Sequence, residues 1–221
     1  MKYYSGIVLF SSESFGKGAN VSDIKAVIFD WGGVLIDDPA PGLMKYCAEQ
    51  LGVTQQNYIQ AHSIFQDDFQ KGIVTERVFW ESVCKHLNVS MPKTDSLWGD
   101  AFAYVYSPKA EVFDLAMKLK ASGYKTGFLS NTEMPCYEFF YKQNYDMFDV
   151  MLFSCCEKLI KPFEQIYLNA VERLGIAPGQ AVFIDDKADY IDGAKKAGLN
   201  VIKFENIAQV KQQLSSFGVK V

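Results

Sequence analysis

No stretch of this 221-residue chain approaches the roughly 18 consecutive apolar residues that a membrane span needs. Basic residues are in no surplus: 22 Lys+Arg stand against 26 Asp+Glu, a net charge of −4. A pI near 5.3 and the lack of an Arg-rich run argue against a general nucleic-acid-binding surface. The cysteines are Cys47, Cys84, Cys136, Cys155 and Cys156, an odd number without C-x-x-C or Cys/His spacing. They support neither a disulfide framework nor a zinc site, and reduced, packed thiols in a cytoplasmic setting are the expectation. The opening MKYYSGIVLF has one lysine and a short apolar run, and SSESFGKGAN after it lacks an A-x-A-like cleavage site, so no secretory signal is expected.

What is present is ordinary globular composition, 49% hydrophobic and 22% charged, able to bury a sizeable core. At about 150 residues per domain, the length suits one large domain or one domain carrying an insert. Five short apolar runs predict buried strands: Lys25–Asp30, Tyr124–Ser130, Val150–Ser154, Ala181–Asp185 and Asn200–Phe204. They do not alternate strictly, which suits strands covered on both faces. Helical periodicity falls over Glu111–Lys120, Phe163–Leu174 and Tyr190–Ala197, stopped by Gly123, by Gly175 with Pro178, and by Gly198. Strands alternating with helices of this length predict an α/β fold, a Rossmann-like three-layer arrangement around a parallel sheet.

One region breaks the alternation. About seventy residues after the first strand contain no strand pattern, far more than a usual connection. Helical patterns lie near Leu43–Leu51, Gln55–Phe69, Glu76–Leu87 and Ser96–Tyr106, with turn signals at Gly52, Gly72 and Pro92. We read 38–106 as an all-helical cap inserted after the first core strand, 23–37 and 107–221 as the core, and 1–22 as a leader. Tyr3–Phe10 could add an edge strand to the core, and the sequence leaves that open.

In an open parallel sheet, ligands bind beyond the carboxyl ends of the strands. There the chain carries Asp30, Ser130-Asn131 and Asp185-Asp186, with Lys161-Pro162 a few residues past the third strand. Any one of these acids could be a turn or capping residue. Together they form an edge of mutually repelling carboxylates that a bound cation would relieve.

The ordered set Asp30-Trp31-Gly32-Gly33-Val34-Leu35, Leu129-Ser130-Asn131-Thr132, Lys161-Pro162 and Ile184-Asp185-Asp186 resembles the four motifs of the haloacid dehalogenase superfamily. The resemblance runs from about Lys25 to Phe204, and the helical insert falls where that family has its cap. It implies a Mg²⁺-dependent phosphatase acting on a small phosphorylated metabolite, sugar phosphates among the candidates. By the resemblance, Asp30 is the nucleophile that forms an aspartyl-phosphate. Ser130 binds the phosphoryl oxygens, with Asn131 beside it, and Lys161 neutralises developing charge. Asp30, the Gly32 backbone carbonyl, Asp185 and Asp186 hold the metal. No nucleic-acid or membrane partner is implied.

The chain departs from the phosphatase pattern at Gly32, where most members carry an Asp that serves as general acid/base. Losing such a group costs about 10²–10⁴-fold. Asp37 or Asp38 could supply a substitute, or could simply cap and hinge the insert. Gly32 therefore keeps open a family member that binds a phosphorylated ligand without turnover. A metal-free 2-haloacid dehalogenase is a third reading, and the Asp185-Asp186 pair speaks against it. Smaller signals have plain explanations: Trp31 as packing, His62 and His86 as ordinary core or surface residues, Cys155-Cys156 as buried thiols, Lys158 as a solvated lysine. Tyr190 stands where family members often have Asn.

Overall fold

The computed structural model describes residues 23–221. The leader and the edge strand considered at Tyr3–Phe10 lie outside the described residues.

Five strands, β1 (Ala26–Phe29), β2 (Lys125–Ser130), β3 (Val150–Phe153), β4 (Ala181–Asp185) and β5 (Asn200–Lys203), form one sheet. Their order is β3-β2-β1-β4-β5, and every pairing is parallel. All four residues of β1 are buried, as expected for a central strand with helices on both faces. Ala26 and Ile28 face α8 (Glu164–Leu174) and α9 (Ala188–Lys196). Val27 and Phe29 face α5 (Ala110–Ala121), α6 (Met134–Lys142) and α10 (Ile207–Ser216). This is the three-layer Rossmann-like arrangement that alternating strands and helices predict.

Between β1 and α5 lie four helices and no strand: α1 (Ala40–Leu51), α2 (Gln55–Gln70), α3 (Glu76–Leu87) and α4 (Leu97–Val105). Local chemistry starts them. Thr54, Thr75 and Ser96 cap α2, α3 and α4 by accepting the N–H of Asn57, Val78 and Gly99. Rings from three of the helices pack together: Phe69 stacks on Phe79 at 4.4 Å, and Trp98 lies parallel to the His62 ring at 5.2 Å. The two ends of the insert are stitched to each other. Asp37 N–H donates to Ser107 O and Lys109 N–H to Leu35 O, both at 2.9 Å. Among the described residues, no helix is long and apolar enough to cross a membrane.

The strands at Lys25–Asp30, Tyr124–Ser130, Val150–Ser154 and Asn200–Phe204 are one or two residues shorter than predicted. Asp30 leaves the sheet for the site, and Ser154 opens a four-residue helix, α7 (Ser154–Glu157). Helices α6 and α10 go beyond the sequence reading. Each buries a narrow i, i+4 pair, Cys136/Phe140 and Val210/Leu214, and α6 is crowded with aromatics that blur the period.

Candidate active site

The parallel register sets Phe29 of β1 opposite Phe128 of β2 and Ile184 of β4, so the residues that follow emerge side by side. Asp30 N–H still donates to Ile184 O at 3.0 Å, which holds its side chain next to Asp185. The chain runs from β1 to β2 and β3 on one side and to β4 and β5 on the other. The β1/β4 gap is therefore the switch point where a crevice opens. The loop after β1 is tight, with the N–H groups of Val34, Leu35 and Ile36 all converging on Trp31 O. Gly33 sits at φ +82°, where a Cβ would lie 2.7 Å from Asp186 Oδ1 and closer still to the rest of that carboxylate. The glycine is what lets Asp186 close over the loop.

Lys161 is completely buried, and its Nζ lies 2.7 Å from Asp30 Oδ1 and 2.6 Å from Asp185 Oδ2. Burial alone would push its ammonium down. The Asp185 and Asp30 charges outweigh that and hold it above the ordinary lysine range. Asp185, also fully buried, is pushed up to about 7 by burial and the Asp30 charge, against the pull of Lys161. Its Oδ1 accepts Lys187 N–H at 2.8 Å, so both of its oxygens are engaged by the protein. Asp186 is raised by burial and then by Asp30, and its buried Oδ1 has no hydrogen-bond partner.

Ser130 Oγ accepts from Thr132 Oγ1 at 2.8 Å, which leaves the Ser130 proton free to donate into the cavity. Thr132 is fixed in turn by its N–H to Ser154 Oγ. Asn131 lines the cavity, yet its side chain braces Lys161: Oδ1 accepts Lys161 N–H at 2.8 Å and Nδ2 donates to Lys161 O at 3.1 Å. The same Nδ2 reaches Tyr190 Oη at 3.2 Å, and the Tyr190 ring lies 4.6 Å from Lys161 Nζ. Tyr190 thus supports the Asn131–Lys161 contact with an aromatic face and one hydroxyl.

Above these groups lies a cavity of about 690 Å³, walled by the loops after β1, β2 and β4 and by α1, α2 and α4. That volume is within the usual range for small-molecule sites. The structure separates two acids that the sequence leaves equivalent. Asp37 accepts from Ser107 Oγ at 2.7 Å in the stitched hinge, whereas Asp38 lines the cavity. Asp38 also accepts Ala40 N–H, so it caps α1 as well.

Other residues go beyond the sequence reading. Glu133 is buried at the cavity floor, where Trp98 Nε1 donates to it at 3.1 Å and burial pushes its carboxyl up. His62 lines the cavity, and burial lowers it to about 4, so it is neutral at physiological pH. Lys109 Nζ donates to Gly33 O at 2.8 Å and braces the loop from behind. Lys158 is not simply solvated: its Nζ donates to Gly72 O at 2.6 Å, fastening the α2–α3 turn to the core. Only Glu133, directly after Ser130-Asn131-Thr132, has a signal in sequence. The others depend on helix rotation and long-range contact. Trp31 is buried against Phe102 and Phe140, His86 is exposed, and Cys155 is buried with Cys156 exposed.

Asp30, Asp185 and Asp186 each offer an oxygen, and these atoms lie within 4.8 Å of one another. Three carboxylates against one contacting lysine leave surplus negative charge. Together with the unpartnered Asp186 Oδ1, an all-oxygen donor set of this kind fits a hard divalent cation.

The family model described as haloacid dehalogenase-like hydrolase matches residues 24–198. A mouse protein, acyl-CoA dehydrogenase family member 10, is 26% identical over 208 residues, 87% of this chain and 19% of its own length. A phosphorylated carbohydrates phosphatase from Thermotoga maritima is 40% identical over 55 residues, 25% of this chain and 26% of its own. The chain thus spans well under half the length of both curated relatives. Among solved structures, a HAD family enzyme from Bacteroides thetaiotaomicron in complex with magnesium and inorganic phosphate superposes with a TM-score of 0.71 at 22% identity. The superposition covers 85% of this chain and 98% of that one.

Proposed function

We propose, from the premise that this chain belongs to the haloacid dehalogenase-like hydrolase family, that it is a Mg²⁺-dependent phosphatase of small phosphate monoesters working through an aspartyl-phosphate. The observation that carries this reading is the buried Asp30–Lys161–Asp185 contact beside the unpartnered Asp186 oxygen. Asp30 Oδ1 is held by Lys161, and the other carboxylate oxygen is the one we assign to attack phosphorus. As the Asp30–phosphorus bond forms, the bond to the leaving oxygen breaks. Water then attacks the aspartyl-phosphate, releasing phosphate and restoring Asp30. Ser130 donates to a phosphoryl oxygen, and Lys161 balances the charge that builds there.

Asp30, Asp186 and the Gly32 carbonyl are the proposed metal ligands. Asp185, whose oxygens already accept from Lys161 and Lys187, contributes through a remaining lone pair or through water. Magnesium, when bound, supplies a positive charge for the phosphoryl oxygens. The insert acts as a cap that encloses the ester, and sugar phosphates are candidate substrates.

The test is hydrolysis of 4-nitrophenyl phosphate. It should require magnesium, stop on chelation and vanish in Asp30→Asn, and full activity in Asp30→Asn would refute the proposal. Gly32 favours one competing reading, a member that binds phosphorylated ligands without turnover. Tight phosphate-competitive binding with no hydrolysis across a broad ester panel would select that reading instead.

A further inference from the structure

The cavity wall contributed by the helical insert carries charge of one sign. Among the described residues, its ionisable acids are Asp38 and Asp67, and no lysine or arginine of the insert lines the cavity. The two lysines that do line it, Lys161 and Lys187, both come from core loops beside Asp30. Asp38 is anchored through Ala40 N–H at the start of α1, and Asp67 stands in the last turn of α2. Neither carboxylate is paired with a cation among the described residues. The one basic side chain of this wall is His62, and burial keeps it neutral. Much of the remaining lining is apolar, including Leu43, Met44 and Ile59 of the insert. Across the mouth stands Phe163, an aromatic 61% exposed.

We propose that this wall selects substrates by the charge of the leaving group. The site takes phosphate monoesters whose leaving group is uncharged with an apolar face, and rejects those carrying a carboxylate or a second phosphate. The proposal rests on the phosphatase reading above and adds the substrate class. All positive charge is concentrated where the transferred phosphoryl group sits. A second anion on the leaving group loses its water and meets two unpaired carboxylates and no cation. Both carboxylates are solvent-exposed, so the repulsion is screened, and a like charge brought beside them changes an affinity by about tenfold.

The experiment compares kcat/KM of the full chain with magnesium on three phosphates: phenyl, 4-(hydroxymethyl)phenyl and 4-carboxyphenyl. The last two match in size, and their phenols are of similar acidity, so charge is the main difference. The hydroxymethyl ester should fall within about threefold of phenyl phosphate and the carboxylate ester at least about tenfold below both. Added salt should narrow that ratio. Asp67→Lys should reduce it by about tenfold, with Asp67→Asn in between. Equal kcat/KM on the hydroxymethyl and carboxylate esters, or a ratio unmoved in Asp67→Lys and Asp38→Asn, would overturn charge selection alone. No turnover of any of the three would refute the phosphatase reading and take this proposal with it.

Discussion

Replacing Gly33 by alanine separates the cost of a strained backbone from the cost of moving Asp186, the proposed metal ligand. At φ +82° an alanine is disfavoured by about 1–2 kcal/mol. In a domain of this size that lowers Tm by about 2–8 °C. The new methyl would also lie 2.7 Å from Asp186 Oδ1, where ordinary contact begins at 3.4 Å, so the carboxylate must withdraw by at least 3.4 − 2.7 = 0.7 Å. Metal-ligand distances tolerate only about ±0.2 Å. The expected loss of magnesium affinity is about 10–100-fold, the range found when groups that orient metal ligands are removed. Gly123→Ala is the control: Gly123 also has a positive φ, +89°, with nothing within 4 Å of its Cβ, so it carries the backbone cost alone. The assay is Tm against magnesium concentration for the three proteins, with the magnesium concentration giving half-maximal hydrolysis as a second readout. Both variants should start from a lowered Tm, and Gly33→Ala alone should need 10–100-fold more magnesium. Equal magnesium dependence in all three proteins would show that Asp186 does not hold the ion.

Gly32→Asp should raise kcat/KM on alkyl phosphates and flatten its dependence on leaving-group pKa, with little change on aryl phosphates. The backbone there is ordinary and the Cβ lies 3.0 Å from Pro39 Cδ, so Pro39 must yield by only a few tenths of an ångström. A loss on both substrate classes with magnesium affinity intact would show a pocket shaped around the glycine. For His62, the folded value of about 4 lies below the ordinary 6.5. Above pH 6.5 neither state binds the proton. As pH falls toward 4 the unfolded state binds it and the folded state does not, so stability drops by up to about 3 kcal/mol and then levels off. Urea denaturation across that window should show a shallower decline in His62→Phe, and identical slopes would remove His62 from the account. Lys161→Met leaves Asp30 and Asp185 facing each other without their shared cation, and should cost about 3–5 kcal/mol at pH 8. Removing Lys161 also removes what pulls the Asp185 carboxyl down, so Asp185 takes up a proton more readily in the variant and part of that loss should return as the pH is lowered. A variant as stable as the parent at pH 8 would contradict the charge balance described.

The sequence by itself determined the α/β class, the all-helical stretch after β1, and the set of residues at one sheet edge: Asp30, Ser130, Lys161, Asp185 and Asp186. The reason is local. Apolar runs of four to six residues end where a polar residue follows, and in a parallel sheet all such ends lie on the same side. Only the tertiary structure decided what those side chains touch. Asp37 and Asp38 are neighbours of identical chemistry, yet one joins Ser107 in the hinge and the other lines the cavity, because the stitched linkers set where each points. Asn131 braces Lys161 and Tyr190 across separations of 30 and 59 residues, and no local pattern encodes a contact at that distance. Gly33 is a motif glycine in sequence, and the fold explains it: Asp186, brought in from β4 more than 150 residues later, fills the space a Cβ would need. The charge of the cavity wall is likewise a tertiary property, set by which faces of α1 and α2 turn toward the sheet when their apolar sides pack with α3 and α4.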